Sequence, residues 1–361
     1  MSEATGGPSD ETPGFWWIGA ETGPVLVENA EAVMPYLPYY LAGWPIKWAG
    51  DTAPRTPDVR IIEHPDGTFQ VLSAGPGGAD FSFDNPYDAA NGLAGALISV
   101  YVGRTPQTIC LHAGAALVGG GLVIVIGDSF AGKSSVALHL AVLGHRFFGD
   151  DQIAVTLDNP SQGVCLGLMP KVRLPLPADC GDAFREFVDG YTSMQGDEMT
   201  YLKLWEGEAG TFGETAPVRA LIFLDRDDSG NGAGAGENAG ASQLLPASRP
   251  ELVKAMVRTA YAPHMSSPDL LAGLTRLADA ADSYHLRFAS SRDAAALLSR
   301  EFYLDEISSA LWRFLTEARS ETEIIETFCA AFPDTDSEKI SADIRAALDD
   351  MSARALVVIR G

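Results

Sequence analysis

Apolar and polar positions through the middle of the chain predict strands that alternate with helices. Residues 122–126 form an aliphatic run without alternation, which is typical of a strand buried on both faces. Apolar residues then recur at helical spacing over residues 133–143. Further apolar segments at 147–148 and 218–225 predict two more buried strands. This alternation favours an α/β fold.

The region before these elements predicts a smaller, strand-rich part. Residues 59–62 and 69–72 have the composition of two strands, and the turn at 65–67 would join them as a hairpin. Residues 87–102 follow with helical periodicity. The first 13 residues are acidic and rich in Gly, Pro, Ser and Thr, so we expect a disordered tail there.

The last sixty residues change character and predict a compact helical module. Residues 305–315 are amphipathic at helical spacing. Ser320 and Glu323 have the spacing of a capping box, which opens a second helix. A third amphipathic helix follows over residues 335–351, and an apolar run at 356–359 predicts a final strand.

A phosphate-binding motif follows the first buried strand. Residues 127–134 match G-x-x-x-x-G-K-[ST], and strand, loop and helix occur in the order that this motif requires. Glycines allow backbone N–H groups to converge on a phosphate chain, and the helix presents its positive dipole end to the same anion. Lys133 would reach the β- and γ-phosphates, and Ser134 would ligate Mg²⁺. A glycine-rich turn between two packed elements is the alternative. The candidate nucleotide-binding residues are Gly127, Asp128, Ser129, Phe130, Ala131, Gly132, Lys133, Ser134 and Ser135.

Two adjacent carboxylates follow the predicted strand at residues 147–148. Asp150 and Asp151 would lie beside the phosphate loop, because α/β folds place ligands where strands end. Phosphoryl transfer needs one carboxylate to hold Mg²⁺ and one to take a hydroxyl proton; a solvated turn is the alternative. Farther along, Lys171 and Arg173 lie among prolines in a predicted loop, which would either supply cations to phosphate or form a surface connection. Arg173 is counted among the nucleotide-binding candidates.

Charge and cysteine usage exclude several classes of partner. With 48 acidic and 25 basic residues, the formal net charge of −23 would repel nucleic acid and anionic lipid surfaces, so neither is expected as a partner. The four cysteines form no C-x-x-C pair, which argues against a zinc knuckle or a disulfide framework and suits a cytoplasmic protein. The longest apolar run, residues 111–127, is rich in glycine, so we expect a buried strand pair there and no membrane span.

Three blocks of sequence, taken together, are more specific than the phosphate loop alone. They are Leu111-His112-Ala113, Gly127-Asp128-Ser129-Phe130-Ala131-Gly132-Lys133-Ser134-Ser135 and Gly144-His145-Arg146-Phe147-Phe148-Gly149-Asp150-Asp151. In this order and spacing they resemble the HPr kinase/phosphorylase family, and more closely the HPr-kinase-related proteins of modified-peptide biosynthesis. The module from Phe302 to Ile359 resembles the PqqD-like leader-recognition domain of peptide-modifying systems.

The first resemblance implies a kinase with a mixed sheet that uses ATP and Mg²⁺ to phosphorylate Ser or Thr of a polypeptide. By motif, Lys133 and Ser134 bind phosphates and Mg²⁺. The resemblance also implies that Asp150 is the general base, that Asp151 helps to hold the metal, and that His112 supports the acidic pair or the phosphate. A hydrogen-bonded core histidine is the alternative for His112.

The resemblances also imply a division into four segments. These are a disordered tail at 1–13, N-terminal strands and a helix at 14–110, a P-loop kinase core at 111–300, and a winged-helix-like peptide-recognition module at 301–361. We expect this module to hold a ribosomally made precursor peptide while the core transfers the γ-phosphoryl group. Two alternatives stay open: a small-molecule kinase whose module serves homo-oligomer formation, and a nucleotide-dependent switch without a phosphoryl acceptor.

Overall fold

The structure is a computed structural model, in which the chain divides into two compact units, residues 1–297 and 298–361. It describes residues 13–21, 23–74, 78, 80–157, 161–177, 180–226, 242–303, 311, 314–315, 319–333, 336–353 and 357. The tail predicted at 1–13, apart from residue 13, and the strand predicted at 356–359, apart from residue 357, lie outside the described residues. Of the helix predicted at 305–315, only residues 311, 314 and 315 are described.

The first part of the chain forms a six-stranded sheet against which one long helix packs. The strands have the order β3-β1-β2-β4-β5-β6, and a short 3-10 helix, Leu37–Tyr39, lies between β2 and β3. β4 and β5 are antiparallel, which confirms the predicted hairpin, and α1 confirms the helix predicted over 87–102. These elements are β1 (Phe15–Ile18), β2 (Val25–Glu28), β3 (Ile46–Gly50), β4 (Val59–Glu63), β5 (Phe69–Ser73), β6 (Asp80–Phe83) and α1 (Pro86–Arg104).

The next elements carry the phosphate motif. β9 is buried along its whole length, as its aliphatic run predicted, and its antiparallel partner β8 confirms the buried strand pair expected over residues 111–127. α2 begins directly after the glycine loop, and β10 confirms the strand predicted at 147–148. The elements are β7 (Thr108–Leu111), β8 (Ala113–Val118), β9 (Gly121–Ile126), α2 (Lys133–Val142), β10 (Arg146–Gly149) and β11 (Ile153–Thr156).

A small three-stranded sheet, with the order β13-β15-β14, follows in the chain. Its first strand corrects a sequence expectation, because the stretch predicted as a loop at 170–177 contains β13. Val172 is buried between Lys171 and Arg173, so this segment has the alternation of a strand despite its flanking prolines. The elements are β12 (Gln162–Val164), β13 (Lys171–Arg173), α3 (Asp182–Tyr191), β14 (Thr192–Gln195) and β15 (Met199–Leu202).

One long strand, β16, joins the two halves of a ten-stranded mixed sheet. It runs parallel to β9 and to β19, and its first residues pair antiparallel with β12. The main path has the order β10-β8-β9-β16-β12-β11-β7-β18, while β17 pairs with β19. The predicted α/β fold with a mixed sheet is confirmed. The remaining elements of this region are β16 (Thr215–Arg226), β17 (Gln243–Pro246), α4 (Arg249–Thr259), β18 (Ala260–Tyr261), α5 (Ser267–Ala280), β19 (Asp282–Phe288) and α6 (Ser291–Tyr303).

The C-terminal unit is helical in the part that the structure describes. α7 (Glu321–Ala331) begins with the predicted capping box, in which Ser320 and Glu323 satisfy each other's backbone N–H groups. α8 (Ser337–Ala353) confirms the third predicted helix. Ile324, Phe328 and other apolar residues of the two helices form a core of their own.

The described residues contain neither a disulfide nor a helix that could span a membrane. All four cysteines are free thiols. None of the helices in the described ranges combines the length and hydropathy that crossing a bilayer requires.

Candidate active site

The phosphate loop lies where β9 ends, at the edge shared with the parallel strands β16 and β19. Gly132 has φ 96° and precedes α2, so the helix N-terminus faces the loop. At Gly127 an added Cβ would lie 3.0 Å from the Cβ of Ala131 and 3.2 Å from the Cβ of Leu224. A side chain at either glycine would therefore be strained, and the tight loop exposes backbone N–H groups that suit an anion.

The ammonium of Lys133 lies across this loop. Its Nζ donates hydrogen bonds to the carbonyl oxygens of Gly127 at 3.1 Å and Asp128 at 3.0 Å. Burial lowers the pKa of Lys133, while the charges of Asp151 and Asp150 oppose that shift. The lysine predicted to reach the phosphates is thus held at the loop, beside the acidic pair.

Asp150 is buried directly beside the phosphate-loop serine. Ser134 Oγ donates a hydrogen bond to Asp150 Oδ1 at 2.8 Å, and the backbone N–H of Asp151 donates to the same oxygen at 2.9 Å. Asp150 is 2% exposed, and its Oδ2 has no hydrogen-bond partner among the described residues. Burial, followed by the neighbouring charge of Asp151, raises the pKa of Asp150 to about 6. The second carboxylate oxygen therefore remains able to bind a cation or a polar group.

Asp151 has a different environment, although it is the next residue. Its φ of 61° lies in the left-handed region, which aspartate tolerates better than most residues, and its side chain lines the cavity described below. Lys171 forms an ion pair with it, and His112 Nε2 lies 3.7 Å from its Oδ1. Burial would raise the pKa of Asp151, but His112 and Lys171 outweigh that effect and hold the pKa well below its usual range.

Two cationic side chains of β13 reach the site from the small three-stranded sheet. Lys171 contacts Asp151, whose charge raises the pKa of Lys171 against the lowering effect of burial. Arg173 places its guanidinium 4.2 Å from the ring centre of Phe130, a phosphate-loop residue that is 76% exposed. The sequence indicated Lys171 only as a cationic residue in a loop. The alternation around Val172 was the local signal that could have placed it on a strand.

A cavity of about 760 Å³ gathers most of the predicted site. Gly127, Asp128, Ala131 and Asp150 do not line it; Asp128 instead pairs with Arg258 at 3.1 Å. Residues that the sequence did not single out also contribute to the wall, among them Gln152, Arg226, Tyr261 and Arg292. The predicted residues that line the cavity are His112, Ser129, Phe130, Gly132, Lys133, Ser134, Ser135, Asp151 and Arg173.

The arrangement suits a magnesium ion that is held chiefly by phosphate and water. Within the described ranges, no cluster of three His, Cys, Asp or Glu side chains could hold a metal by itself. Mg²⁺ in phosphate sites takes only one or two protein oxygens, and the hydroxyl of Ser134 and the unpartnered Oδ2 of Asp150 supply that number.

Lys171 gives a prediction that separates its charge from its packing. Lys171→Met keeps the apolar stem and removes the ammonium. We therefore expect affinity for ATP, the nucleotide that the sequence resemblance implies, to fall at least about 10-fold, because the variant has no ammonium to donate to a phosphate oxygen. The pKa of Asp151 should also rise towards its usual range, since Lys171 holds it down. The charge of Lys171 also lowers the pKa of Asp150, which is about 6, so the acid limb of the kcat/KM profile, set by that carboxyl, should move to higher pH. Calorimetric titration and rate measurements against pH would check both effects.

Lys203→Met is the matched control for this variant, because Lys203 is exposed and does not line the cavity. It should match the parent in both measurements. An unshifted acid limb in Lys171→Met would contradict the electrostatic role given to Lys171.

Comparison with known proteins gives results for the two parts of the chain separately. Residues 295–357 match the family described as coenzyme PQQ synthesis protein D (PqqD). The C-terminal segment is PqqD-like. This match begins inside α6, ahead of the boundary predicted at residue 301, and it confirms the predicted resemblance of the module.

The solved structures similar to this chain include the Hpr(Ser) kinase/phosphatase from Coxiella burnetii. The two are 13% identical, the alignment covers 53% of this chain and 91% of the other, and the TM-score is 0.25. The family comparison thus returns the PqqD resemblance that the sequence of the C-terminal module indicated. No curated protein matches the chain.

Proposed function

We propose that this protein is an ATP-dependent kinase that phosphorylates a Ser or Thr hydroxyl of a ribosomally made precursor peptide. One observation carries the proposal: an acidic pair adjoins the phosphate-loop serine, with Asp150 buried against Ser134 and Asp151 on the cavity wall. A loop that only binds nucleotide needs no second carboxylate beside the γ-phosphate position. A phosphotransferase does, because the acceptor hydroxyl must lose its proton.

The residues present fit a bound magnesium ion. We propose that Ser134 and Asp150 hold it, because Asp150 Oδ2 is buried without a hydrogen-bond partner and Oδ1 is already fixed by Ser134. When bound, the ion would neutralise charge on the β- and γ-phosphates of ATP. It would also favour the ionised form of Asp150, whose pKa is otherwise raised by burial.

The phosphate chain would be held by backbone and lysine groups of this chain. The N-terminus of α2 lies at the loop, and Lys133 Nζ reaches across it. Backbone N–H groups of the loop and of the first helical turn would bind the anion. Lys171 pairs with Asp151 on the cavity wall, and with nucleotide bound its ammonium would turn to a phosphate oxygen. Phosphate would then compete with Asp151 for the Lys171 ammonium, leaving the carboxylate available.

Asp151 would accept the proton of the attacking hydroxyl. It lines the cavity, whereas Asp150 is buried behind it, so an acceptor can approach Asp151 directly. His112, 3.7 Å away, would stabilise the carboxylate and help to orient it. These proposed roles reverse the sequence-based expectation that Asp150 is the base and Asp151 the metal ligand.

The PqqD-like segment would bind the precursor peptide. This part of the proposal depends on the resemblance of the segment to PqqD-like modules, which recognise the leader of a precursor peptide. Tethering a leader raises the local concentration of the acceptor residue to the millimolar range, so the catalytic cavity itself needs little affinity for it. We further propose that the boundary between kinase core and module lies near residue 300, and that the protein acts in the cytoplasm, where ATP is supplied.

Leader competition tests this function with the full chain. With γ-labelled ATP and a precursor peptide encoded beside this gene, we expect labelled phosphoserine or phosphothreonine. Adding the leader segment alone should raise the KM for the precursor by at least about 10-fold, because it removes the tethering advantage. Initial rates at several leader concentrations would measure this.

A scrambled leader is the matched control and should not compete. Labelled precursor formed at the same KM with and without leader would contradict the role of the PqqD-like module. ATP binding without any labelled peptide would contradict the kinase itself.

A further inference from the structure

The cavity extends beyond the phosphate loop to a second wall formed by β7, β18, the start of β11 and α1. Six residues of this wall define what we call the acceptor lobe: Gly95, Ser99, Cys110, His112, Gln152 and Tyr261. The lobe adjoins Asp151, because His112 belongs to both. The volume of about 760 Å³ leaves room for a second group beside a triphosphate.

Strand register explains why these side chains share one face. β18 pairs antiparallel with β7 and places Tyr261 opposite Cys110. His112 follows the last residue of β7 directly and lines the same cavity as Cys110. The N–H of His112 donates to the carbonyl of Thr259 at 3.0 Å, which fixes His112 beside the same ladder. The floor of the lobe is therefore a rigid sheet surface that ends at the acidic pair.

Helix α1 leaves space above this floor. Its residues from Leu93 to Ile98 are buried with the exception of Gly95, and Ser99 follows one turn later on the same face. Glycine inside a helix is destabilising relative to alanine. Yet Gly95 needs neither a left-handed φ nor a close backbone approach, since an added Cβ would meet no atom within 4 Å. The lack of a side chain at Gly95 therefore leaves open volume in the cavity.

The lobe offers neutral hydrogen-bonding groups. Ser99 Oγ and the Tyr261 hydroxyl lie 2.5 Å apart, and Gln152 contributes an amide near Cys110. Burial raises the pKa of the Cys110 thiol to about 12, so this group stays uncharged. His112 is the one basic side chain among the residues described there. A free amino acid would bring an ammonium and a carboxylate that these groups do not neutralise, whereas an amide-linked serine or threonine brings no charge.

We propose that the acceptor lobe binds the uncharged hydroxyl-bearing residue of a peptide segment and delivers its hydroxyl to Asp151. This inference rests on the proposed kinase function and adds to it the place and chemical class of the acceptor. Ser99 and Tyr261 would hold backbone amide groups of the segment, and the space at Gly95 would admit the side chain.

Filling the space at Gly95 tests the proposal. We expect Gly95→Ala and Gly95→Leu to raise the KM for a serine-centred peptide library in graded fashion, by about 3-fold and at least about 10-fold, as each added group occupies volume. ATP affinity, measured by titration, should stay within about twofold of the parent because the phosphate loop is unchanged. Gly190→Leu is the matched control: Gly190 lies in α3, also has no atom within 4 Å of an added Cβ, and does not line the cavity.

Two further measurements test the acceptor lobe, one with the variant Tyr261→Phe and one with free serine as the acceptor. Removing the hydroxyl should raise the peptide KM about 5-fold with kcat little changed, since one hydrogen bond of binding is lost. Free serine should be a much poorer acceptor than the peptides. Unchanged peptide KM in Gly95→Leu would overturn the lobe alone. Free serine as the better acceptor would overturn both the lobe and the peptide as the substrate of the proposed kinase. A parent enzyme that binds ATP and labels neither would overturn both the lobe and the kinase.

Discussion

Asp151→Asn is expected to lower kcat for phosphoryl transfer by about 10³-fold, the usual contribution of a positioned general base. The amide cannot accept the hydroxyl proton, but it keeps the size of the side chain, and asparagine tolerates the left-handed backbone at this position. ATP binding should change little or improve slightly, because Lys171 is released from its ion pair. Single-turnover kinetics with labelled ATP, combined with nucleotide titration, would separate the two effects.

Asp189→Asn is a matched control for this variant, because Asp189 is an exposed aspartate of α3 that does not line the cavity. It should transfer phosphate at the parental rate. Full activity in Asp151→Asn, together with an inactive Asp150→Asn, would contradict the proposed roles. It would favour Asp150 as the base and Asp151 as the metal ligand, as the sequence indicated.

Asp150→Asn is expected to remove the Mg²⁺ dependence of nucleotide binding and to stabilise the protein at neutral pH. Loss of a carboxylate that holds the metal should weaken Mg²⁺ binding by about 100-fold.

The stability gain expected for Asp150→Asn has a separate cause. The pKa of Asp150 is about 6, above its ordinary value of 3.8, so its ionisation costs the folded state stability as pH rises through this range. The difference corresponds to about 3 kcal/mol at pH 7.5, which asparagine would recover while still accepting the hydrogen bond from Ser134.

The pH dependence distinguishes this mechanism from a general packing gain. Thermal unfolding in the absence of nucleotide should show the variant above the parent at pH 7.5. The difference should shrink as the pH falls and vanish at about pH 3, where the Asp150 carboxyl of the parent is protonated in both the folded and the unfolded chain. A stability difference that is constant between pH 4 and pH 8 would show that ionisation of Asp150 is not its source.

The elements that carry the motif could be predicted because their signals are local. The aliphatic run of β9, the glycines of the loop and the helical spacing of α2 occur within about twenty consecutive residues, and each element forms where its own sequence favours it. The capping box of α7 is equally local, since Ser320 and Glu323 are three residues apart. In such stretches the hydrophobic pattern and the turn residues agree, so sequence and structure agree as well.

The partners of the acidic pair could not be predicted in this way. Lys171 lies twenty residues after Asp151 on a strand of another sheet, and prolines on either side obscured that strand. Tyr261 and Ser99, two other residues of the cavity wall, are 162 residues apart in sequence. The pairing of β18 with β7 and the packing of α1 against β7 bring them together. Contacts of this kind depend on strand register and helix packing, which leave no periodic trace near either residue.

The sequence by itself determined the phosphate loop, the strand and helix that flank it, the presence of two consecutive carboxylates and a separate PqqD-like segment. Tertiary structure decided what distinguishes those carboxylates. Asp150 and Asp151 are chemically identical neighbours, yet the chain buries one against Ser134 and places the other between Lys171 and His112. The physical reason is that a pKa depends on desolvation and on charges within a few ångströms, and those surroundings come from residues distant in the chain.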